Sequence, residues 1–418
     1  MKHIDYSSIE LKDGFWIRIQ DKIRHTTTEN IYRRFAETGR FDALNFDWKE
    51  GMPNRPHYYW DSDIAKWIET VAHLITKKPE PRYEAMADEI IDKIATHQEE
   101  SGYFNICFQL FHPETRFQDR GAHELYCAGH LIEAAVAYYK ATGKNTLLNV
   151  ACRYADYIEK CFVIEKSTGF VTPGHEEIEL ALLKLYRVTG EERYLELAEF
   201  FLNQRGMRDE PAYPWAKPAY TQSHLPIRQQ RTAEGHAVRA MYLYCAMAEL
   251  AAERQDAELM RACEAIFEDV LTKKMFITGA IGSSRAGESF TIPYDLPNLT
   301  GYAESCAAIG LAMFCLRMQR ISCDVRYADT FERLIYNGIL SSISLDGRAF
   351  FYENPQEILP QLSERDACVA EPAIRMPPYR RKEVFVCSCC PPNITRFLAT
   401  IADGLYTSNE DAVYCHQY

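Results

Sequence analysis

Along most of the chain, apolar residues recur at the i, i+3, i+4 spacing of an amphipathic helix. Leu131, Ala134, Ala135 and Tyr138 form one such stripe. The pattern predicts helices over about 18–38, 62–76, 81–99, 122–142, 145–162, 175–189, 191–205, 231–254, 256–273, 301–321, 325–344 and 393–405. Asp61-Ser62-Asp63 supplies caps for the second of them. The period changes only locally. Residues 4–16, with Ile9-Glu10-Leu11-Lys12-Asp13-Gly14-Phe15-Trp16, alternate apolar and polar and read as a short strand and turn. Ala349-Phe350-Phe351-Tyr352-Glu353 reads as a strand, and Asp411 to Tyr418 has β character.

The helices repeat in pairs. Tyr139-Lys140-Ala141-Thr142-Gly143 returns as Tyr186-Arg187-Val188-Thr189-Gly190, a step of 47 residues from Gly143 to Gly190. Each copy closes one helix and opens the next, with glycine just past the end. Gly129-His130, Gly174-His175 and Gly235-His236 are each expected at a helix opening. Helix pairs of this period build either a solenoid or a closed ring of hairpins. Polar and aromatic residues gathered at helix starts favour the ring: an all-α fold, an (α/α)6 barrel of six hairpins, with minor β segments. Loops 100–121, 206–230, 274–300 and 346–391 would form its mouth. In domains, 1–16 is expected to be a strand segment of a β module, 17–408 the barrel, and 409–418 the start of a β domain that this chain truncates.

Composition narrows the functional classes. The chain has 418 residues, of which 47% are hydrophobic and 25% charged, ample for a core. A net charge of −12 without a basic cluster argues against a nucleic-acid partner. No run approaches the roughly 20 apolar residues of a membrane span, and Met1-Lys2-His3-Ile4-Asp5 opens no secretory leader. The expected location is therefore the cytoplasm, where the 14 cysteines stay reduced. Most of them read as small buried hydrophobes.

Candidate chemistry gathers at Val386-Cys387-Ser388-Cys389-Cys390-Pro391-Pro392-Asn393. Neighbouring thiols resist bonding to each other and suit a soft metal such as zinc, or hold a reactive thiolate. A structural zinc knot or plain buried cysteines are the bland alternatives. Glu304 and Cys306, two apart at a predicted helix start, could complete a carboxylate-and-three-thiol set with Cys389 and Cys390; otherwise they are a helix-start charge and a core thiol. Glu288, behind Gly287 on a loop, is general acid/base material or a solvated carboxylate. His123, His130, His175, His224 and His236 include residues at helix starts that would face a barrel mouth. There, neutral imidazoles bond sugar hydroxyls. Glu124, Glu176 and Glu177 lie alongside, either orienting an imidazole or simply charging a first helical turn.

Taken in order, six stretches resemble the β-L-arabinofuranosidases of glycoside hydrolase family 127. They are His123-Glu124-Leu125-Tyr126-Cys127-Ala128-Gly129-His130, Gly174-His175-Glu176-Glu177-Ile178-Glu179, Gly235-His236-Ala237-Val238-Arg239-Ala240, Gly287-Glu288-Ser289-Phe290, Glu304-Ser305-Cys306 and Cys387-Ser388-Cys389-Cys390-Pro391. The resemblance implies an (α/α)6 barrel followed by β-sandwich domains, the latter absent from this chain. It implies a retaining exo-glycosidase that releases β-linked L-arabinofuranose from small oligosaccharides or glycoconjugates. Zinc would be held by Glu304, Cys306, Cys389 and Cys390; Cys389 would be the nucleophile and Glu288 the acid/base. His123, His175, His236 and Tyr352 would bind the sugar, while Cys387 has no role. The expected partners are the arabinofuranoside substrate and, for a full-length protein, a second copy; nucleic acid and membrane are not expected. Two rival readings are a sugar epimerase using barrel histidines and a non-catalytic glycan-binding zinc protein.

Overall fold

The computed structural model describes residues 1–12, 14–208, 210–360 and 379–417. The stretch 361–378 of the loop predicted over 346–391, Asp13 of the predicted strand and Tyr418 of the C-terminal β segment lie outside them. In chain order the main elements are β1 (Lys2–His3), α1 (Gly14–Lys22), α2 (Thr28–Glu37), α3 (Trp60–Lys77), α4 (Pro81–His97), α5 (Ile106–Phe111), α6 (Glu124–Thr142), α7 (Thr146–Glu159), α8 (Ile178–Thr189), α9 (Glu192–Gln204), α10 (Ala237–Glu253), α11 (Ala257–Asp269), α12 (Ser305–Ile321), α13 (Val325–Arg333), α14 (Cys390–Ala399), β2 (Tyr406–Ser408) and β3 (Val413–Cys415).

Every predicted helix is present, with shifted ends. The helix expected over 18–38 begins at Gly14 and runs as α1 and α2 through a wide turn at Ile23–Thr27. There the hydroxyls of Thr27 and Thr28 donate five residues back, to the carbonyls of Lys22 (3.3 Å) and Ile23 (2.8 Å). These bonds fit a turn one residue wider than an α-turn. The strand expected over 4–16 does not form. The Asp5 carboxylate accepts from Ser7 N–H at 2.9 Å and caps a tight turn at Tyr6–Ser8, which takes the chain out of extended geometry. Within 349–353, Phe350 makes only single bridges, to Ile343 and Lys382. The short helix α5 was hidden inside a predicted loop; the Asn105 side chain starts it by accepting from Phe108 N–H at 3.0 Å.

Gly129-His130 does not open a helix but lies inside α6. A Cβ at Gly129 would stand 2.6 Å from Glu177 Cγ and 3.0 Å from the Ile178 nitrogen, so glycine there permits close approach to the start of α8. His130 is correspondingly buried, 3.2 Å from Glu177 and 3.5 Å from Glu133, and not at any mouth.

The described residues form two units. The first comprises Glu10–Ala216 and Val384–Thr400. Within it α14, α3, α6 and α8 pack side by side in that order, and α7 and α9 back onto α6 and α8. Helices α3 and α6 are buried along almost their whole length, so they carry no polar face. The second unit comprises Met1–Ile9, Lys217–Glu383 and Ile401–Tyr418. It pairs α10 with α12, backed by α11 and α13, and holds a three-stranded antiparallel sheet in the order β1-β2-β3, with Lys2 opposite Ser408 and Thr407 opposite Tyr414. Among the described residues no helix is long and apolar enough to cross a membrane.

The interior of the first unit is charged. Arg396 on α14 donates to Glu69 on α3 (2.7 Å) and to Glu133 on α6 (2.6 Å), all three buried, while its Nε donates to Asn393 at 2.7 Å. Lys184 completes the Glu133 pairing. Burial alone would raise the Glu69 carboxyl, but the Arg396 charge overrides it and holds the group at about 2. Its folded pKa lies below the ordinary carboxylate value, so this stabilisation is present above about 4.5 and is lost as pH falls toward 2. Replacing Arg396 by Met should cost about 3–5 kcal/mol by taking the shared guanidinium from two buried carboxylates, and denaturant unfolding at neutral pH would measure the loss. A loss under about 1 kcal/mol would show that the pair does not hold α14.

Candidate active site

In the second unit the site is built from three chain segments. The Phe290 N–H donates to the Gly235 carbonyl at 2.8 Å, and Ser284 and Ser289 exchange backbone bonds of 3.0 Å each. The residues between them turn tightly, with both Gly287 (φ 71°) and Glu288 (φ 53°) left-handed. A Cβ at Gly287 would meet the Tyr220 ring at 3.1 Å, so that position needs glycine on two counts. Glu288 adopts the same region with a side chain, a strain of order 1 kcal/mol of the kind that gathers at functional sites.

Two donors fix the Glu288 carboxylate. His236 caps α10: its Nδ1 accepts from Val238 N–H (3.2 Å) and Arg239 N–H (3.4 Å). A ring nitrogen that accepts carries no proton, so the neutral imidazole holds its hydrogen on Nε2. That atom donates to Glu288 Oε2 at 2.7 Å, and Tyr302 Oη donates to Oε1 at 2.8 Å. Burial lowers the His236 pKa, in keeping with a neutral ring. At Glu288 burial pushes the carboxyl up, but the His236 and Tyr302 bonds outweigh it and hold the group below the ordinary carboxylate range. The side chain remains 36% exposed, so a ligand can reach it.

Glu304, the third contributor, precedes α12 and is buried. Its approach is set by Ala303, left-handed at φ 47°, and by backbone bonds from Ala303 N–H to Gly282 (2.8 Å) and from Ser305 N–H to Tyr352 (2.9 Å). His236, Glu288 and Glu304 each bring a donor atom within 4.8 Å of the others. Cys306 follows in the first turn of α12 and is buried, and the half-buried Tyr352 ring stands 6.3 Å from that of Tyr302.

In the first unit Cys389 caps α14, and Pro391 and Pro392 occupy its first turn, where no N–H is missed. Cys389 and Cys390 hold their sulfurs 3.8 Å apart and are not disulfide-bonded. The loop before them is gripped by a buried arginine. Arg40 donates to the carbonyls of Phe385 (3.1 Å) and Val386 (3.0 Å), pairs with buried Asp63 at 2.8 Å, and lies 4.9 Å from the Phe35 ring centroid and 5.0 Å from that of Trp60. Cys387 is half-buried between that grip and the helix.

His123 and His175 lie in the same unit with rings 5.6 Å apart, and the Tyr126 ring packs 4.3 Å from His175. Each Nδ1 donates to a carbonyl, His123 to Gly121 at 2.7 Å and His175 to Glu176 at 3.0 Å, which makes each Nε2 an acceptor. The neighbouring carboxylates serve the core instead: Glu124 accepts from Tyr103 at 2.5 Å, Glu176 pairs with Arg205 at 2.8 Å, and Glu177 faces His130. His224 is a partly buried ring whose pKa burial lowers. Sequence reasoning missed Tyr302, Tyr126 and Arg40. Tyr126 sits inside a quoted motif and Tyr302 two residues before one, but neither carries a spacing signal, and Arg40 lies more than 340 positions from the loop it holds.

The second unit thus carries Glu304 and Cys306, and the first carries Cys389 and Cys390: one carboxylate and three thiols, residue types that suit a soft metal. Comparison with known proteins agrees with these motifs. Residues 8–403 match the family model described as the catalytic domain of GH127 β-L-arabinofuranosidases. A non-reducing end β-L-arabinofuranosidase of Bifidobacterium longum subsp. longum is 36% identical over 383 residues, covering 86% of this chain and 57% of that protein. The chain therefore spans little more than half the length of that curated relative. A crystal structure of a GH127 β-L-arabinofuranosidase from Geobacillus stearothermophilus T6 superposes with a TM-score of 0.91 at 40% identity, covering 98% of this chain and 67% of that one. A second solved structure, a GH127 β-arabinofuranosidase, gives 0.88 at 34% identity, covering 100% of this chain and 64% of that one. The fold is all-α, of the (α/α)6 barrel type, with a small sheet.

If Arg40 grips the thiol loop, Arg40→Met should speed amide exchange across 384–388 by tenfold or more while leaving exchange in α6 and α8 slow. Equal acceleration everywhere would mean that the substitution unfolds the unit instead.

Proposed function

The chain belongs to the GH127 β-L-arabinofuranosidase family, and from this premise we propose that it is a retaining exo-glycoside hydrolase releasing β-linked L-arabinofuranose from small oligosaccharides or glycoconjugates. The observation that carries the reading is the thiol pair. Two thiolates on one tetrahedral zinc, with bonds of about 2.3 Å, sit roughly 3.8 Å apart, and the sulfurs of Cys389 and Cys390 have that spacing without a disulfide. Glu304 and Cys306 are the complementary donors in this proposal. Bound there, zinc would keep its cysteines deprotonated at neutral pH.

The remaining chemistry belongs to the chain. Cys389 attacks the anomeric carbon while the glycosidic C–O bond breaks and Glu288 protonates the departing oxygen. Glu288, now a carboxylate, takes a proton from water, which attacks the same carbon, breaks the C–S bond and returns the thiolate; two inversions give retention. The donors on Glu288 favour its ionised state, which suits the second step. For the first step it needs a proton, and a neutral sugar that displaces water from the exposed side of Glu288 shifts it that way. His123 and His175 accept from sugar hydroxyls and Tyr352 lines the pocket, while His236 acts through Glu288. None of the described cysteines is in a disulfide, which suits a cytoplasmic, reducing setting.

Cys389→Ala and removal of the metal should each abolish release of arabinose from an aryl β-L-arabinofuranoside; near-normal turnover in Cys389→Ala would refute the nucleophile. Glu288→Gln should slow substrates with poor leaving groups far more than activated aryl ones, by about 10²–10⁴-fold, with equal losses counting against the acid. A product of changed stereochemistry without bond cleavage would point to an epimerase.

A further inference from the structure

Within the second unit, the turn that carries Glu288 is anchored at its other end by a residue outside the proposed chemistry. Arg285 opens the turn, and its carbonyl accepts from the Glu288 N–H at 3.2 Å. Its guanidinium leaves the turn, and Nε donates to Glu353 Oε2 at 2.7 Å. The two side chains are 8% and 22% exposed. An ion pair so sheltered is screened far less than a surface one.

Glu353 is held in its turn by the segment that carries Glu304. Glu304 and Glu353 pair antiparallel, Ser305 N–H donates to the Tyr352 carbonyl at 2.9 Å, and Asn354 N–H donates to the carbonyls of Tyr302 and Ala303 at 3.1 Å each. The Asn354 side-chain amide adds bonds to Ala303 O (3.2 Å) and Ser305 Oγ (3.0 Å). A little earlier, Phe350 and Lys382 exchange backbone bonds of 2.8 and 2.9 Å. Segment 350–354 is therefore a fixed strut, and the Arg285–Glu353 pair links the turn to it through side chains. The turn needs such a link. Gly287 and Glu288 are both left-handed, and strain of that kind lasts only where the surroundings hold it. His236 and Tyr302 hold the Glu288 carboxylate, while Arg285 holds the backbone from which that side chain projects.

We propose that Glu353 is a positioning residue for Glu288, acting through Arg285 to hold the acid/base turn against the segment of Glu304. The proposal rests on the glycosidase reading above. Two measurements test it. The first needs no turnover: amide exchange across 284–289 should quicken by about tenfold or more in Arg285→Met and in Glu353→Gln, while exchange in α10 and α12 stays slow. The second compares kcat/KM of the metal-loaded enzyme for methyl β-L-arabinofuranoside, which has a poor leaving group, with that for an activated aryl glycoside. A displaced acid hurts the first substrate more. The methyl-to-aryl ratio should therefore fall about tenfold in Glu353→Gln, mostly through kcat. Arg285→Lys keeps the charge and should recover part of what Arg285→Met loses. Unchanged exchange across 284–289, an unchanged ratio or an equal loss on both glycosides would each overturn the positioning role. Failure of the wild-type enzyme to cleave either glycoside would strike at the glycosidase reading instead, and the exchange measurement would still decide whether the pair anchors the turn.

Discussion

A guanidinium in a dry interior has to find acceptors, and that requirement fixes the thiol-bearing helix. Arg396 reaches Glu69 on one neighbouring helix and Glu133 on the next, and its Nε bonds Asn393 one turn back. Thr395 adds a 3.1 Å hydroxyl contact to Thr70. Removing three charged groups from water costs about as much as their attraction returns, so the network is a poor source of net stability. What it supplies is register: α14 cannot slide along α3 without uncoupling a buried charge. Cys389 and Cys390 stand at the N-terminal end of that helix, where two prolines stiffen the first turn. On the other side of the thiols Arg40 holds the incoming loop by two carbonyls. The two sulfurs are thus positioned from both chain directions by buried arginines.

The second unit reaches the same end by strain. Glu288 and Ala303 both adopt left-handed backbone that residues with a side chain avoid, and each is clamped by short backbone bonds on either side. Strain of this kind persists only where the surroundings over-determine the geometry. Its chemical consequence at Glu288 is that both carboxylate oxygens meet donors before any ligand arrives. The group then starts ionised, and in the acid role proposed for it the substrate itself must tilt the balance.

Much of this was readable in the sequence, for physical reasons that differ by element. The helices were legible because burial of one face imposes a 3.6-residue period, and the six motifs because chemistry constrains residue types. The inner helices α3 and α6, buried along almost their whole length, blur the period, yet Asp61-Ser62-Asp63 still marked the start of the one and Gly143 the end of the other. What failed were local competitions: the Asp5 cap defeated an alternating pattern, and the Thr27 and Thr28 hydroxyls widened a turn. Gly129-His130 misled because a glycine needed for helix packing looks the same as one needed for a turn. Tyr302 and Arg40 were invisible because their importance lies in partners far along the chain, which no spacing encodes.

The histidines separate along the same line. His236 lends Nδ1 to a helix start and so must give its proton from Nε2, to Glu288. His123 and His175 spend Nδ1–H on carbonyls and so turn an accepting Nε2 outward. One residue type thus serves two purposes, and the backbone group at Nδ1 decides which. Exchanging the tautomers would affect them unequally: a donor at Nε2 of His123 could still meet a hydroxyl, but an acceptor at Nε2 of His236 would face a carboxylate and repel it. The position of the Glu288 carboxylate therefore depends on the α10 cap, a helix-capping interaction that in most proteins serves stability alone.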